Sequence, residues 1–94
     1  MRKFFVQDPA ESREYQISWA WVLPDGVTIV ESIWDGNDEL TISNQALEGE
    51  FTAAFVSVNQ STDILGKRVV LTNTVTLSNN EVYVDSIFIY FEEK

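Results

Sequence analysis

The sequence predicts an all-β protein, a two-sheet sandwich of about seven antiparallel strands, and three observations carry that expectation. Apolar and polar residues alternate with a period of two over most of the chain, the spacing that sends successive strand side chains to opposite faces. Clusters of Pro, Gly, Asn and Asp interrupt the alternation about every eight to twelve residues, as turns between short strands do. No window sustains the 3.6-residue repeat of a long helix.

Lys3 to Val6 reads as a short first strand, stopped by Asp8-Pro9 because proline removes a ladder donor and restricts the residue before it. Ala10 to Glu14 reads as a turn or a single helical turn. Tyr15 to Val22 is the clearest strand, with Tyr15, Ile17, Trp19 and Trp21 on the core face and Gln16, Ser18 and Ala20 opposite. Pro24-Asp25-Gly26 supplies a turn in which proline presets the first dihedral and glycine takes the left-handed position. Val27 to Trp34 is rich in β-branched residues, and Asp35-Gly36-Asn37-Asp38 closes it with a second turn.

Glu39 to Ser43 is a short strand carrying Leu40 and Ile42 on one face, and the polar stretch Asn44 to Glu50 is broken at Gly49. Phe51 to Val58 forms the next strand, followed by a polar loop from Asn59 to Gly66. Lys67 to Leu77 is the longest alternation, with Val69, Leu71, Val75 and Leu77 facing one way and Thr72, Thr74 and Thr76 the other. Ser78-Asn79-Asn80-Glu81 makes a hairpin, and Val82 to Phe91 returns as the last strand. Seven short strands in one chain favour a sandwich of immunoglobulin type, with a small closed barrel as the rival architecture.

The chain has 94 residues, which is one domain, 1–94, by length. Hydrophobic residues make up 45% and aromatics 13%, enough for a packed interior and against intrinsic disorder. There is no cysteine, hence neither a disulfide frame nor a thiolate metal site. Six basic against fifteen acidic residues give a net charge of −9. That balance disfavours nucleic acid and anionic membrane as partners, since both bind through lysine and arginine. The apolar run near Phe4-Phe5-Val6 is cut off by Gln7-Asp8-Pro9, too short for a leader or a transmembrane span.

With the strands placed, the segment from Phe5 to Trp21 resembles small immunoglobulin-like proteins encoded by tailed bacteriophages and prophages. Asp8-Pro9 ends the first strand, Glu11 and Tyr15 follow, and Trp19 sits in the next strand. The strand Ile29 to Trp34 ends in tryptophan, and Leu71-Thr72-Asn73-Thr74-Val75-Thr76 and Ser86-Ile87-Phe88-Ile89 complete the pattern over nearly the whole chain. The resemblance implies a virion-associated structural protein, made in the bacterial cytoplasm and incorporated in the virion. Its implied partners are other virion proteins or further copies of itself. It carries over no catalytic residues and no cofactor.

The residues themselves offer little chemistry. Asp35, Asn37, Asp38 and Glu39 make an oxygen-rich loop, but without the spacing and closing glutamate of a calcium loop they read as a plain turn, and no metal site is expected. Carboxylate pairs drawn from Asp25, Asp38, Asp63 or Asp85 lack a cleft to work across. Serine nucleophiles lack a histidine base, since the chain has none. The expectation is a protein that is not an enzyme.

Two surfaces remain as candidates. Of Trp19, Trp21 and Trp34, for all of which burial in the core is the favoured reading, Trp34 ends its strand beside a loop and is the candidate platform for a host-surface glycan, the alternative function being a carbohydrate-binding module for attachment. The last strand is apolar on both faces: Ile87, Ile89 and Phe91 share one, while Val82, Val84, Phe88 and Tyr90 occupy the other. An antiparallel strand usually keeps one face polar. The second face is therefore covered by Phe4 and Phe5 or a loop, or else it is an interface formed by Val82, Val84, Phe88 and Tyr90.

Overall fold

The computed structural model describes residues 3–59 and 64–93; Gln60, Ser61, Thr62 and Asp63 of the expected Asn59–Gly66 loop lie outside the described residues. Seven strands follow in chain order: β1 (Lys3–Gln7), β2 (Arg13–Ser18), β3 (Ile29–Asp35), β4 (Leu40–Glu48), β5 (Phe51–Val58), β6 (Arg68–Leu77) and β7 (Val82–Phe91). They form two sheets, ordered β1-β7-β6-β3 and β2-β5-β4, which pack as a sandwich around one apolar cluster. With the strands lettered A to G in chain order, the sheets read A-G-F-C and B-E-D. Of the five pairings within the sheets four are antiparallel; β1 alone runs parallel to its neighbour β7.

The core is built by the inward phase of each strand. Ile17 of β2, Val56 of β5, Leu71 and Val75 of β6, and Ile87, Ile89 and Phe91 of β7 are all fully buried. β5 and β7 have the bounds that alternation expects, because turn residues flank β5 and precede β7, and charged Glu92-Glu93 end the apolar run of β7. At the β6–β7 hairpin the Leu77 N–H donates to the Glu81 carbonyl at 2.8 Å, and Asn80 takes a left-handed φ of 73°. Gly26 adopts φ 82° where the Pro24-Asp25-Gly26 turn needs it, and the Val27 N–H closes that turn onto the Pro24 carbonyl at 3.1 Å.

Two elements depart from the alternation. The expected strand Tyr15 to Val22 ends at Ser18: Trp19 leaves the extended region at φ −105°, ψ 12°, and Ala20–Val22 form a short 3-10 turn. Such a turn has about three residues per revolution, so Trp21 does not fall on the face of Trp19 as it does in a pleat. Trp19 is fully buried and Trp21 is 70% exposed. β4, expected to stop at Ser43, continues to Glu48 through a bulge in which Asn44 sits at φ 49°. Asparagine tolerates that conformation, and the extra residue shifts the register between Ser43 and Ala46.

Two buried hydrogen-bond networks cross the core. The Trp19 indole N–H donates to Thr52 Oγ1 at 3.1 Å and to Asn73 Oδ1 at 3.0 Å, and Thr52 Oγ1 donates to the same Asn73 oxygen at 2.6 Å. Asn73 Nδ2 then donates to Ser32 Oγ and the Ile33 carbonyl of β3. In the second network the Tyr15 hydroxyl donates to Gln7 Oε1 at 2.7 Å, while Gln7 Nε2 donates to the Val56 and Glu11 carbonyls. Gln7, Thr52 and Asn73 are fully buried, and each has the partners a desolvated polar group requires.

Candidate functional site: the outer face of the four-stranded sheet

The register of β7 and β6 decides which residues share the outer face. Tyr90 lies opposite Arg68, Phe88 opposite Val70, Ser86 opposite Thr72, Val84 opposite Thr74 and Val82 opposite Thr76. β1 extends this face, since Phe4 is level with Phe88 and Val6 with Tyr90. The four residues expected to form an interface, Val82, Val84, Phe88 and Tyr90, thus fall on one surface. Val84 is 59% exposed and Tyr90 41%, Val82 is exposed, and Phe88 is half-buried.

At the upper end of this face, Phe4 stacks on Phe88 with ring centroids 5.2 Å apart and planes 23° from parallel. The Arg68 guanidinium lies 5.8 Å from the centre of the Phe88 ring, within cation–π range. The aliphatic stem of Arg68 can lie along the same surface while its head stays solvated. Thr72 and Ser86 meet through their hydroxyls at 3.4 Å and form a polar waist. Below it Val84, Val82 and Ile33 of β3 continue the apolar surface.

Sequence reading left open whether Phe4, Phe5 or a loop covers this face. β1 lies edge-on beside β7, so Phe4 widens the apolar surface; it is itself 61% exposed. Phe5 points the other way, its ring edge-to-face with Tyr15 at 5.1 Å. Among the described residues, no element packs over the outer face. The outer face of the second sheet is more polar: Glu14, Gln16, Ser18, Thr41, Ser43 and Glu48 surround Phe51 and Phe55 there.

Trp34 does not stand where a sugar platform needs it. It is 5% exposed, lies opposite Asn73 and belongs to the core cluster, with an indole N–H that meets no acceptor among the described residues. The reason is a register shift between Ile29, opposite Leu77, and Glu31, opposite Thr76. Counting by twos from the inward Ile29 sends Trp34 outward; one extra residue at the irregularity turns it in. The exposed tryptophan is Trp21, a residue the alternation assigns to the core.

The remaining polar candidates hold structure together. Asn37 Oδ1 accepts the Glu39 N–H at 2.8 Å, Asp35 Oδ1 accepts the Gly36 N–H at 2.9 Å, and Glu39 pairs with Lys67 at 3.2 Å, so the Asp35–Glu39 loop is a side-chain-stabilised turn. Asp85 Oδ1 accepts the Ser86 N–H at 2.8 Å. A hollow beside Pro9, Glu11, Ser57 and Asn59 carries one carboxylate among the described residues, Glu11, whose Oε1 accepts the Asp8 N–H at 2.9 Å. Among the described residues, no group of three or more acidic side chains comes together as a metal would require, and no helix is long and apolar enough to cross a membrane. Asp63 lies outside the described residues.

No curated protein matches the chain. A family model described as podophage GP4 fiber-tail adaptor protein gp77 matches residues 7–90, from the last residue of β1 to the penultimate residue of β7. The resemblance to tailed-phage structural proteins read from Asp8-Pro9 through Trp19 and on to Ile89 agrees with that match. The chain belongs to the family of the podophage GP4 fiber-tail adaptor protein gp77 and is a structural protein of a tailed phage.

Proposed function

We propose that the chain is a non-catalytic, immunoglobulin-like adaptor module, incorporated in the virion, that joins other virion proteins through the outer face of the sheet β1-β7-β6-β3. The observation that carries this reading is the uncovered apolar surface of Phe4, Val70, Val82, Val84, Phe88 and Tyr90. A soluble antiparallel sheet ordinarily turns polar side chains to water, and an exposed aromatic and aliphatic surface of this kind marks an association site. Aromatic rings beside an arginine, here Phe88 and Tyr90 with Arg68, are the residue types that dominate binding energy at interfaces.

The size of the surface also suits the role. Ten residues at about 3.3 Å and three strand spacings of about 4.8 Å give roughly 33 by 14 Å, on the order of 460 Å² in projection. Side-chain relief raises the accessible area toward the roughly 800 Å² that each partner of a standard interface contributes. The occupant is another virion protein or a further copy of this chain. The attachment reading, a host-surface glycan on Trp34, has no observation in its favour once Trp34 lies in the core.

Particles carrying Phe88→Ser with Tyr90→Ser test the proposal. The double variant is expected to retain the wild-type circular dichroism spectrum and to fall at least about tenfold in purified particles, a loss of roughly 1.4 kcal/mol or more in binding. Val84→Ser, at an exposed position, separates binding from folding. Wild-type incorporation of both variants would overturn the reading.

A further inference from the structure

Trp21 is an exposed tryptophan held in a fixed position. Its indole stacks on that of Trp19 with centroids 6.2 Å apart and planes 20° from parallel, and it meets the Tyr83 ring edge-to-face at 6.4 Å. The turn that carries it is closed by the Val22 N–H on the Trp19 carbonyl at 3.0 Å and tied to the β4–β5 hairpin by the Trp19 N–H on the Glu50 carbonyl at 2.8 Å. One side of the ring is therefore occupied by aromatics while 70% of the residue faces solvent. A rigid aromatic loses little entropy when a partner covers it.

The charge around it is one-sided. Asp25 follows in the next turn, Glu48 ends β4, Glu50 sits in the hairpin turn to which Trp19 is bonded, and Glu81 precedes Val82 and Tyr83. All four are exposed. The described cations lie away from this end. Arg68 is level with Tyr90, about 23 Å along β7 from Tyr83, and Lys3 is level with Ile87, about 13 Å along it. Lys67 follows the end of β7, its carbonyl accepting the Phe91 N–H, and Arg13 is level with Val56 toward the far end of β5. These separations exceed the Debye length of about 8 Å at physiological salt, so among the described residues the charges that the chain and the register place at the Trp21 end are acidic.

We propose that Trp21 anchors a second docking site, which takes an arginine-bearing segment of a partner protein. A guanidinium stacks on the open face of the indole, where the ring quadrupole attracts it, and neighbouring guanidinium or ammonium groups meet the surrounding carboxylates. The inference rests on the adaptor reading, because an adaptor needs two surfaces for two partners. The Trp21 end supplies one that is separate from the Phe4, Phe88 and Tyr90 region of the outer face.

Isothermal titration of the full chain with the peptide Gly-Arg-Gly-Arg-Gly-Arg at physiological salt tests the site. The wild type is expected to bind saturably, and Trp21→Leu, which leaves the net charge unchanged, to raise Kd at least about tenfold. Asp25→Asn with Glu50→Gln should weaken binding while leaving the ring in place. Equal affinity for wild type and Trp21→Leu would mean diffuse attraction to an acidic protein and would overturn the proposal. So would failure of the peptide to bind, or binding of a neutral oligosaccharide such as maltohexaose through Trp21 in its stead. Phe88→Ser with Tyr90→Ser should leave the peptide titration untouched, so loss of particle incorporation and loss of peptide binding report on different surfaces.

Discussion

The indole nitrogen of Trp19 lies 3.0 Å from Oδ1 of Asn73, a residue 54 positions further along the chain, and this bond joins the two sheets inside the core. Asn73 Oδ1 also accepts from Thr52, and its amide donates to Ser32 and to the Ile33 carbonyl, so both donors and both acceptor sites of the side chain are used. A fully satisfied buried network of this kind selects one sheet-to-sheet registration, because slippage would strand desolvated polar groups.

Asn73→Ala should therefore destabilise the fold by about 2–4 kcal/mol, combining a small cavity with a stranded Thr52 hydroxyl donor on β5, an indole N–H left with Thr52 alone, and stranded acceptors on β3. Urea unfolding is expected to show a lower midpoint with an unchanged slope. A midpoint within experimental error of wild type would mean that the network contributes nothing net.

The two neighbouring tryptophans should behave oppositely. Trp19→Phe removes the donor shared by Thr52 and Asn73 and should cost about 2–3 kcal/mol, whereas Trp21→Ala should cost under about 1.5 kcal/mol, mostly lost stacking. Acrylamide quenching offers a second check: Trp21 should account for nearly all of the accessible fluorescence, and Trp21→Ala should abolish it. Strong residual quenching in that variant would contradict the burial of Trp19 and Trp34.

Alternation locates β5 and β7 to the residue because turn residues bracket β5 on both sides and precede β7, whose apolar run stops at the charged Glu92-Glu93. It fails at Trp21, where the chain leaves the pleat for a 3-10 turn, and it cannot place Trp34, where one extra residue in β3 reverses the phase and turns the ring into the core. Both come from a single inserted conformation that a period-two count cannot register. β4 beyond Ser43 escapes for another reason: it is an edge strand whose residues from Ser43 to Glu48 are all exposed, so no apolar periodicity marks it. The signal for the Trp19 network was present in Asn73, a polar residue in phase with Leu71 and Val75. Gln7, a polar residue at the end of β1, is the corresponding signal for the second network. The apolar outer face was legible in Val82, Val84, Phe88 and Tyr90; that β1 lies alongside and leaves it open required the structure.

Tyr15 links the second network to pH. Burial pushes its hydroxyl above the ordinary value of 10.0, with Arg13 opposing the shift and Glu11 adding to it. The folded state thus holds this proton more tightly than the unfolded one, so the associated stability is complete below about pH 10 and is lost as pH rises through the folded pKa. Tyr15→Phe should cost about 1–2 kcal/mol near neutrality, since Gln7 Oε1 loses its donor. The gap between wild type and Tyr15→Phe should narrow above about pH 10. A constant gap in chemical denaturation between pH 8 and pH 11 would contradict this account.

The most direct test of the adaptor surface is hydroxyl-radical footprinting of the chain in purified particles against the isolated protein, read residue by residue by mass spectrometry. Phe4, Phe88 and Tyr90 should lose most of their labelling in the particle, while Phe51, exposed on the second sheet, keeps its own and serves as the internal reference. Equal labelling of Phe4, Phe88 and Tyr90 in both states, or absence of the chain from the particle, would contradict the claim that the outer face of β1-β7-β6-β3 is where this protein meets the virion.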